Sequence, residues 1–175
     1  LEHISVPNTI TRLWDYVFDK CTTLQEVTLP DGVTDIGRHV FESCCCITEM
    51  IPPKGLRKIG NGAFQGCRML EKAVLPDGID EVVDSLFSGC YTLTEIVIPK
   101  SVTTVSRYCF ENCQCMKRYY FLPDSPPELT TTGTFLGLPK DCKFYVPKGR
   151  LDVYQAAESW SNYASYMVEM EGDVP

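Results

Sequence analysis

The chain has no apolar run approaching the roughly 20 residues that cross a bilayer, so no membrane insertion of this segment is expected. Only two histidines occur, which leaves little for histidine-based catalysis or a zinc cage. Basic residues are outnumbered, 16 against 23 acidic, for a net charge of −7, and they form no stripe of the kind that nucleic acids select. Nucleic acid is therefore not an expected partner. No Gly-rich phosphate loop, Walker sequence or G-x-S-x-G elbow is present. What is present is a hydrophobic content of 44% over 175 residues, enough for a sizeable core in one domain of ordinary size.

That apolar content is periodic. Phe18, Phe41, Phe64, Phe87 and Phe110 recur every 23 residues, and Cys21, Cys44, Cys67, Cys90 and Cys113 follow each of them by three. Pro7, Pro30, Pro53, Pro76 and Pro99 keep the same interval. Leu1, Leu24, Ile47, Leu70, Leu93 and Met116 form a fourth column, with Ile10, Val33, Leu56, Ile79 and Val102 a fifth. Leu13, Ile36, Ile59, Val82 and Val105 make a sixth. Columns held in step at this period are the signature of a solenoid.

Each unit reads as a strand, a turn and a short return. Val27 and Leu29 share one face of a strand, because strand side chains alternate. Pro30-Asp31-Gly32 supplies turn residues, and Val33 and Ile36 give a second inward pair. Val40, Phe41 and Cys44 stand at i, i+1 and i+4, which predicts a single helical turn over residues 38–44. One such coil cannot bury its own apolar side. Stacked coils pair their strands at about 4.8 Å and share a continuous core.

The strings "LQEVTLPDGVTDIGRHVFESCCCI" and "LTEIVIPKSVTTVSRYCFENCQCM" resemble the BspA-type leucine-rich repeat family. The closing "CKFYVPKGRLDVYQAAESWSNYASYMVEM" is similar to the end of such arrays. The resemblance implies an α/β solenoid, a right-handed leucine-rich-repeat superhelix. A parallel β-sheet would form one side and short helical turns and loops the other, with a helical C-terminal cap. It divides the chain into five 23-residue repeats over residues 1–122, and a degenerate repeat with the cap over 123–175. It also implies a secreted or surface-anchored bacterial protein that adheres to host or matrix proteins. Pro52 departs from the pattern, standing where Leu29, Leu75 and Ile98 sit; a proline cannot donate to a ladder, so a break or bulge is expected there. Val83 and Ser106 replace the glycines at 37 and 60, so that turn is expected to vary.

Leu1 is in register with Leu24 and no signal-peptide pattern precedes it. The array is therefore expected to open in mid-repeat, as a piece of a longer protein or with an edge that pairs with another copy. At the other end, Phe135 lies 25 residues beyond Phe110, which indicates one degenerate coil. A last strand is expected at Lys143–Val146 and an amphipathic helix over residues 150–160, with Leu151, Tyr154 and Ala157 on one face. Six of the nine tyrosines, and Trp160, lie beyond Cys115; as a cap they would cover the core edge and keep their polar tips wet.

The ten cysteines admit a disulfide framework, a metal cage or buried thiols. Side chains parallel on successive coils fit a disulfide poorly. Cys44-Cys45-Cys46 and Cys109-x3-Cys113-x-Cys115 lack paired C-x2-C spacing, so no metal is expected. Core thiols are the favoured reading, and Cys109 supports it by replacing Val17, Val40, Ala63 and Leu86. Cys45, in a column with Thr22, Arg68, Tyr91 and Gln114, is expected to be exposed and oxidisable. His3 and His39 face different sides of the coil, and Glu81 with Asp84 reads as a solvated face, so neither catalysis nor a cofactor is expected.

The sheet surface carries the candidate site. With Val27 and Leu29 inward, Thr28, Ile51, Val74, Val97 and Tyr120 fall in one outward row, beside Glu26, Glu49, Lys72, Glu95 and Arg118. An apolar stripe flanked by charge suits a protein partner, although β-branched residues favour strands whether or not anything binds. Two other readings stand: a spacer that positions another domain of a longer protein, and a carbohydrate site using Tyr91, Tyr119 and Tyr120.

Overall fold

The structure, a computed structural model, describes residues 2–172. Leu1 lies outside the described residues. The chain winds as a parallel β-solenoid of about seven turns. One wall is built from β1 (His3–Ser5), β3 (Glu26–Thr28), β5 (Glu49–Met50), β7 (Lys72–Ala73), β9 (Glu95–Ile98), β11 (Arg118–Phe121) and β13 (Lys143–Val146). A second wall follows the proline turns: β2 (Arg12–Leu13), β4 (Asp35–Ile36), β6 (Lys58–Ile59), β8 (Glu81–Val82), β10 (Thr104–Val105) and β12 (Glu128–Leu129). The expected last strand, β13, is followed by one more, β14 (Met167–Glu169), which pairs with it in parallel.

The ladders are not continuous. On the first wall the hydrogen-bonded groups are β1-β3, β5-β7 and β9-β11-β13-β14; on the second they are β2-β4-β6 and β8-β10-β12. The break expected around Pro52 falls between β3 and β5, where a cavity of about 30 Å³ opens among Val27, Leu29, Ile36, Phe41, Ile47 and Pro52. Pro52 also lacks the amide with which its column-mate Val6 reaches the carbonyl of Thr28, one coil on, so one bond is missing at the next joint, where β5 and β7 still pair. The break between β6 and β8 falls where Val83 replaces the glycine of the earlier coils. A Cβ at Gly60 would lie 2.6 Å from the backbone of the preceding coil, so glycine there lets coils two and three approach closely.

Inside, identical side chains fall in files. The Phe rings stack face to face from Phe18 through Phe41, Phe64, Phe87 and Phe110 to Phe135, with centroids 5.3 to 5.9 Å apart and tilts of 3 to 19°. Phe135 closes the stack, 5.8 Å from Phe110. The cysteine file is buried from Cys44 through Cys113, and Cys109 with it. Each thiol of this file donates to the carbonyl of a Phe one coil back: Cys44 to Phe18 and Cys67 to Phe41 at 3.1 Å, Cys90 to Phe64 at 3.2 Å, Cys113 to Phe87 at 3.3 Å. A small apolar residue that can also donate suits this position. Cys45 is half-buried rather than exposed, its thiol 3.3 Å from the carbonyl of Ser43.

The predicted helical turn is a correction. Residues 38–44 form consecutive β-turns, as do their counterparts in the other coils. Two files take a left-handed conformation: Tyr16, His39, Gly62, Ser85 and Tyr108 with φ of 52 to 63°, and Lys20, Ser43, Gly66, Gly89, Asn112 and Gly137 with φ of 56 to 82°. A helix would spend its amides on its own carbonyls. The left-handed residues instead turn amides outward, and Phe18, Phe41, Phe64 and Phe87 donate to Val40, Ala63, Leu86 and Cys109 of the following coil at 2.8 to 3.1 Å. A non-glycine residue in this region costs about 1–2 kcal/mol, which an inter-coil hydrogen bond of about 1 kcal/mol offsets in part.

The cap also differs from expectation. The helix α1 spans only Leu151–Ala156, with a 3₁₀ turn at Ser161–Tyr166 after it. Tyr154 and Trp160 are fully buried, and their polar tips are not wet. The Tyr154 hydroxyl donates to Pro123 O and the Trp160 indole to Pro127 O, both at 2.7 Å, pinning the Pro-rich loop under the cap. Tyr119, offered from the sequence as a sugar platform, is buried among Phe110, Phe121, Phe135 and Phe144. Its hydroxyl has no hydrogen-bond partner among the described residues. Burying an unpaired hydroxyl costs about 1–3 kcal/mol. Tyr119→Phe is therefore expected to stabilise the chain by about 1 kcal/mol in urea titrations; a loss of stability would mean the hydroxyl is bonded after all.

Candidate protein-binding face

The alternation expected on the first wall holds along its length. Val27 and Met50 point in, as do Ala73, Ile96, Tyr119 and Phe144. The intervening residues point out, so Thr28, Ile51, Val74, Val97 and Tyr120 do share one outward row. Ile51 is 62% and Val74 41% exposed, large values for apolar side chains, while Val97 and Tyr120 are half-buried. The row runs further than the sequence showed. Tyr145 pairs in register with Tyr120 and stacks on it at 4.9 Å, and Val168 follows on β14. A 23-residue count from Tyr120 lands on Lys143, because the degenerate coil is two residues longer; the displaced Phe135 was the available signal.

Glu26, Glu49, Lys72, Glu95 and Arg118 stand beside this row, and Lys143 continues them. The Arg118 guanidinium lies 2.8 Å from the Glu95 carboxylate, which raises the arginine above its ordinary range. Burial against its neighbours pushes the Tyr120 phenol up. His3 sits 3.4 Å from Glu26, both largely exposed. Two grooves flank the face. One of about 890 Å³ follows the proline file, between Pro53, Val74, Pro76, Val97 and Pro99. The other, of about 760 Å³, runs along Glu71, Lys72, Thr94, Glu95, Cys115 and Lys117.

The titratable groups elsewhere are dispersed. His39 lies on the turn wall, 2.9 Å from Glu42 and stacked on Tyr16 at 5.1 Å, on a different wall from His3. Glu81 and Asp84, read from the sequence as a solvated pair, each have a partner one coil on: Ser106 bonds Glu81, and Arg107 lies 2.8 Å from Asp84. Among the described residues no group of three or more His, Cys, Asp or Glu side chains gathers as a metal ion would require. No helix among them is long and apolar enough to cross a membrane.

This winding has solved counterparts. The leucine-rich repeat protein of T. pallidum superposes with a TM-score of 0.68 at 24% identity, over 93% of this chain and 81% of that one. The pneumococcal vaccine antigen PcpA gives 0.70 at 21% identity, over 99% of this chain and 42% of that one. A leucine-rich repeat protein from Bacteroides ovatus ATCC 8483 gives 0.58 at 23% identity, over 85% and 46%. The chain thus spans less than half the length of the last two, and the likeness at these identities is one of fold. No curated protein matches the chain. The profile of the BspA type leucine rich repeat region, however, matches residues 1–117 in six copies. The chain therefore belongs to the BspA-type leucine-rich repeat family, whose repeats typically bind or scaffold and are generally not enzymes.

Proposed function

We propose that the chain is a non-catalytic protein-recognition module of a bacterial cell-surface or secreted protein, adhering to a host or matrix protein through the exposed face of its parallel sheet. The observation that carries this reading is the outward apolar row Ile51, Val74, Val97, Tyr120 and Tyr145, the first two exposed and the others half-buried, bordered by charge. Apolar centres with polar rims are what protein interfaces use, and stacked tyrosines supply contact area at little entropic cost. A surface location is supported by the family and by the pneumococcal neighbour, which is described as a vaccine antigen.

Surface plasmon resonance against a panel of immobilised extracellular-matrix proteins tests the reading. Wild type is expected to bind at least one of them. The double variant Val74→Glu/Val97→Glu is expected to lose that binding by about a hundredfold or more, since charge at an interface centre is strongly disfavoured. Its thermal midpoint should move by only about 2–3 °C, because both side chains lie on the outward side of the sheet and outside the core. Undiminished binding by the double variant would exclude this face. A spacer that positions another domain is the second reading, favoured by the unbroken file of stacked Phe rings; it predicts that wild type captures nothing from the panel.

A further inference from the structure

The charged file on the sheet wall is ordered in a way that one chain leaves unused. From β3 to β13 it runs Glu26, Glu49, Lys72, Glu95, Arg118, Lys143: two negative, one positive, one negative, two positive. The order is antisymmetric about the junction between β7 and β9. Lys72 mirrors Glu95, Glu49 mirrors Arg118, and Glu26 mirrors Lys143, each pair opposite in sign.

Antisymmetry of this kind is what a two-fold interface requires, because an isologous contact sets each residue against its mirror position on an identical surface. A two-fold axis parallel to the strands, lying midway between the two facing sheets above the junction of β7 and β9, keeps strand direction and reverses the order of coils. The charged file then lies on the charged file of the second copy. Glu26 meets Lys143 of the partner subunit, Glu49 meets Arg118 of the partner subunit, and Lys72 meets Glu95 of the partner subunit, each contact occurring twice. The apolar row is matched by the same operation: Ile51 falls on Tyr120 of the partner subunit and Val74 on Val97 of the partner subunit. The neighbouring file adds no clash. Glu71 falls opposite Thr94 of the partner subunit, and Lys117 opposite Thr48 of the partner subunit.

We infer that the sheet face binds a second copy of this chain, in a face-to-face dimer with the coils running in opposite order. The inference rests on the reading of that face as a protein-binding surface, and names its partner. All six members of the charged file reach solvent, Glu95 and Arg118 only in part because they pair with each other, so each can be met from above. The overall charge of −7 opposes self-association, which makes the local order of signs the deciding term at close range and gives the dimer a salt dependence.

Sedimentation velocity of the intact chain over about 1 to 100 µM, a range that brackets the dissociation constants of modest interfaces, tests this directly. A dimer that weakens as salt rises from about 0.05 to 1 M is expected. Lys143→Glu sets a carboxylate against Glu26 at both symmetric sites and is expected to weaken the dimer by about tenfold or more. The charge swap Glu26→Lys/Lys143→Glu restores opposite signs and should recover wild-type affinity to within about threefold. Both positions are exposed, so the variants should melt like wild type. A wild type that is monomeric throughout the range overturns the dimer, as does one indifferent to Lys143→Glu or not rescued by the swap. A monomer that still binds a matrix protein through Val74 and Val97 would sink the dimer and leave the recognition face standing.

Discussion

Raising the pH from about 8 to 11 is expected to unfold the protein cooperatively, well before any backbone chemistry intervenes. A free thiol ionises near pH 8.5. In the folded chain burial pushes Cys44, Cys113 and Cys142 up to about 12, and holds Cys67, Cys90 and Cys109 well above the ordinary thiol range. Above about pH 9 the unfolded chain therefore sheds protons that the folded chain keeps. The stabilisation is fully present below the unfolded value and is lost as pH climbs. Each thiol contributes up to about 1.4 kcal/mol per pH unit, so six together remove several kcal/mol within the first unit. That is comparable with the whole stability of a domain, about 5–15 kcal/mol. Burial raises the phenols of Tyr119 and Tyr154 too, which steepens the fall above about pH 10. Urea midpoints measured along this range check the expectation. A midpoint flat to pH 11 would contradict it, and Cys67→Ala or Cys90→Ala should make the decline shallower.

Phe87→Ala is expected to cost about 3–5 kcal/mol. Phe87 is fully buried between Phe64 at 5.8 Å and Phe110 at 5.9 Å, and its amide bonds the carbonyl of Cys109. The space left cannot collapse, because the ring files on either side are fixed by their own coils. The loss should be uneven, since stacked repeats feel chiefly their neighbours. Amide hydrogen exchange is expected to lose protection first in the coils of Phe64 and Phe87, while β11, β13 and the cap around Trp160 stay protected. A uniform loss along the chain would instead mean that the solenoid and its cap melt as one unit.

The solenoid was legible because each coil must solve the same packing problem, so one mutually consistent set of residues repeats at 23. The outward row followed from strand alternation alone, with Ile51 and Val74 where the phase of Val27 and Leu29 puts them. What failed was local. Val40, Phe41 and Cys44 have helical spacing, yet stacked coils reward amides that reach a neighbour, and left-handed Ser43 and His39 send them there. Non-glycine residues in that conformation leave no mark in a sequence. Tyr154 and Trp160 were misjudged because an aromatic ring reads alike in a core and on a surface; the difference lies in the carbonyls of Pro123 and Pro127, which no periodicity locates. The cysteine file read correctly as buried, but its bonds to the Phe carbonyls appear only once the coils are stacked.

The interrupted ladders bear on mechanics. Among the described residues, strand pairing joins coil two to coil three only through β4 and β6, coil three to coil four only through β5 and β7, and coil four to coil five only through β8 and β10, while the turn wall bonds every one of these joints. Stitches therefore alternate between opposite walls at three successive joints, while the joints at either end keep both. With that wall bonded throughout, the zigzag leaves the midsection freest to flex about its turns, between ends that keep both ladders. An applied load would then strain the middle first and spare the terminal plate that carries Tyr120 and Tyr145.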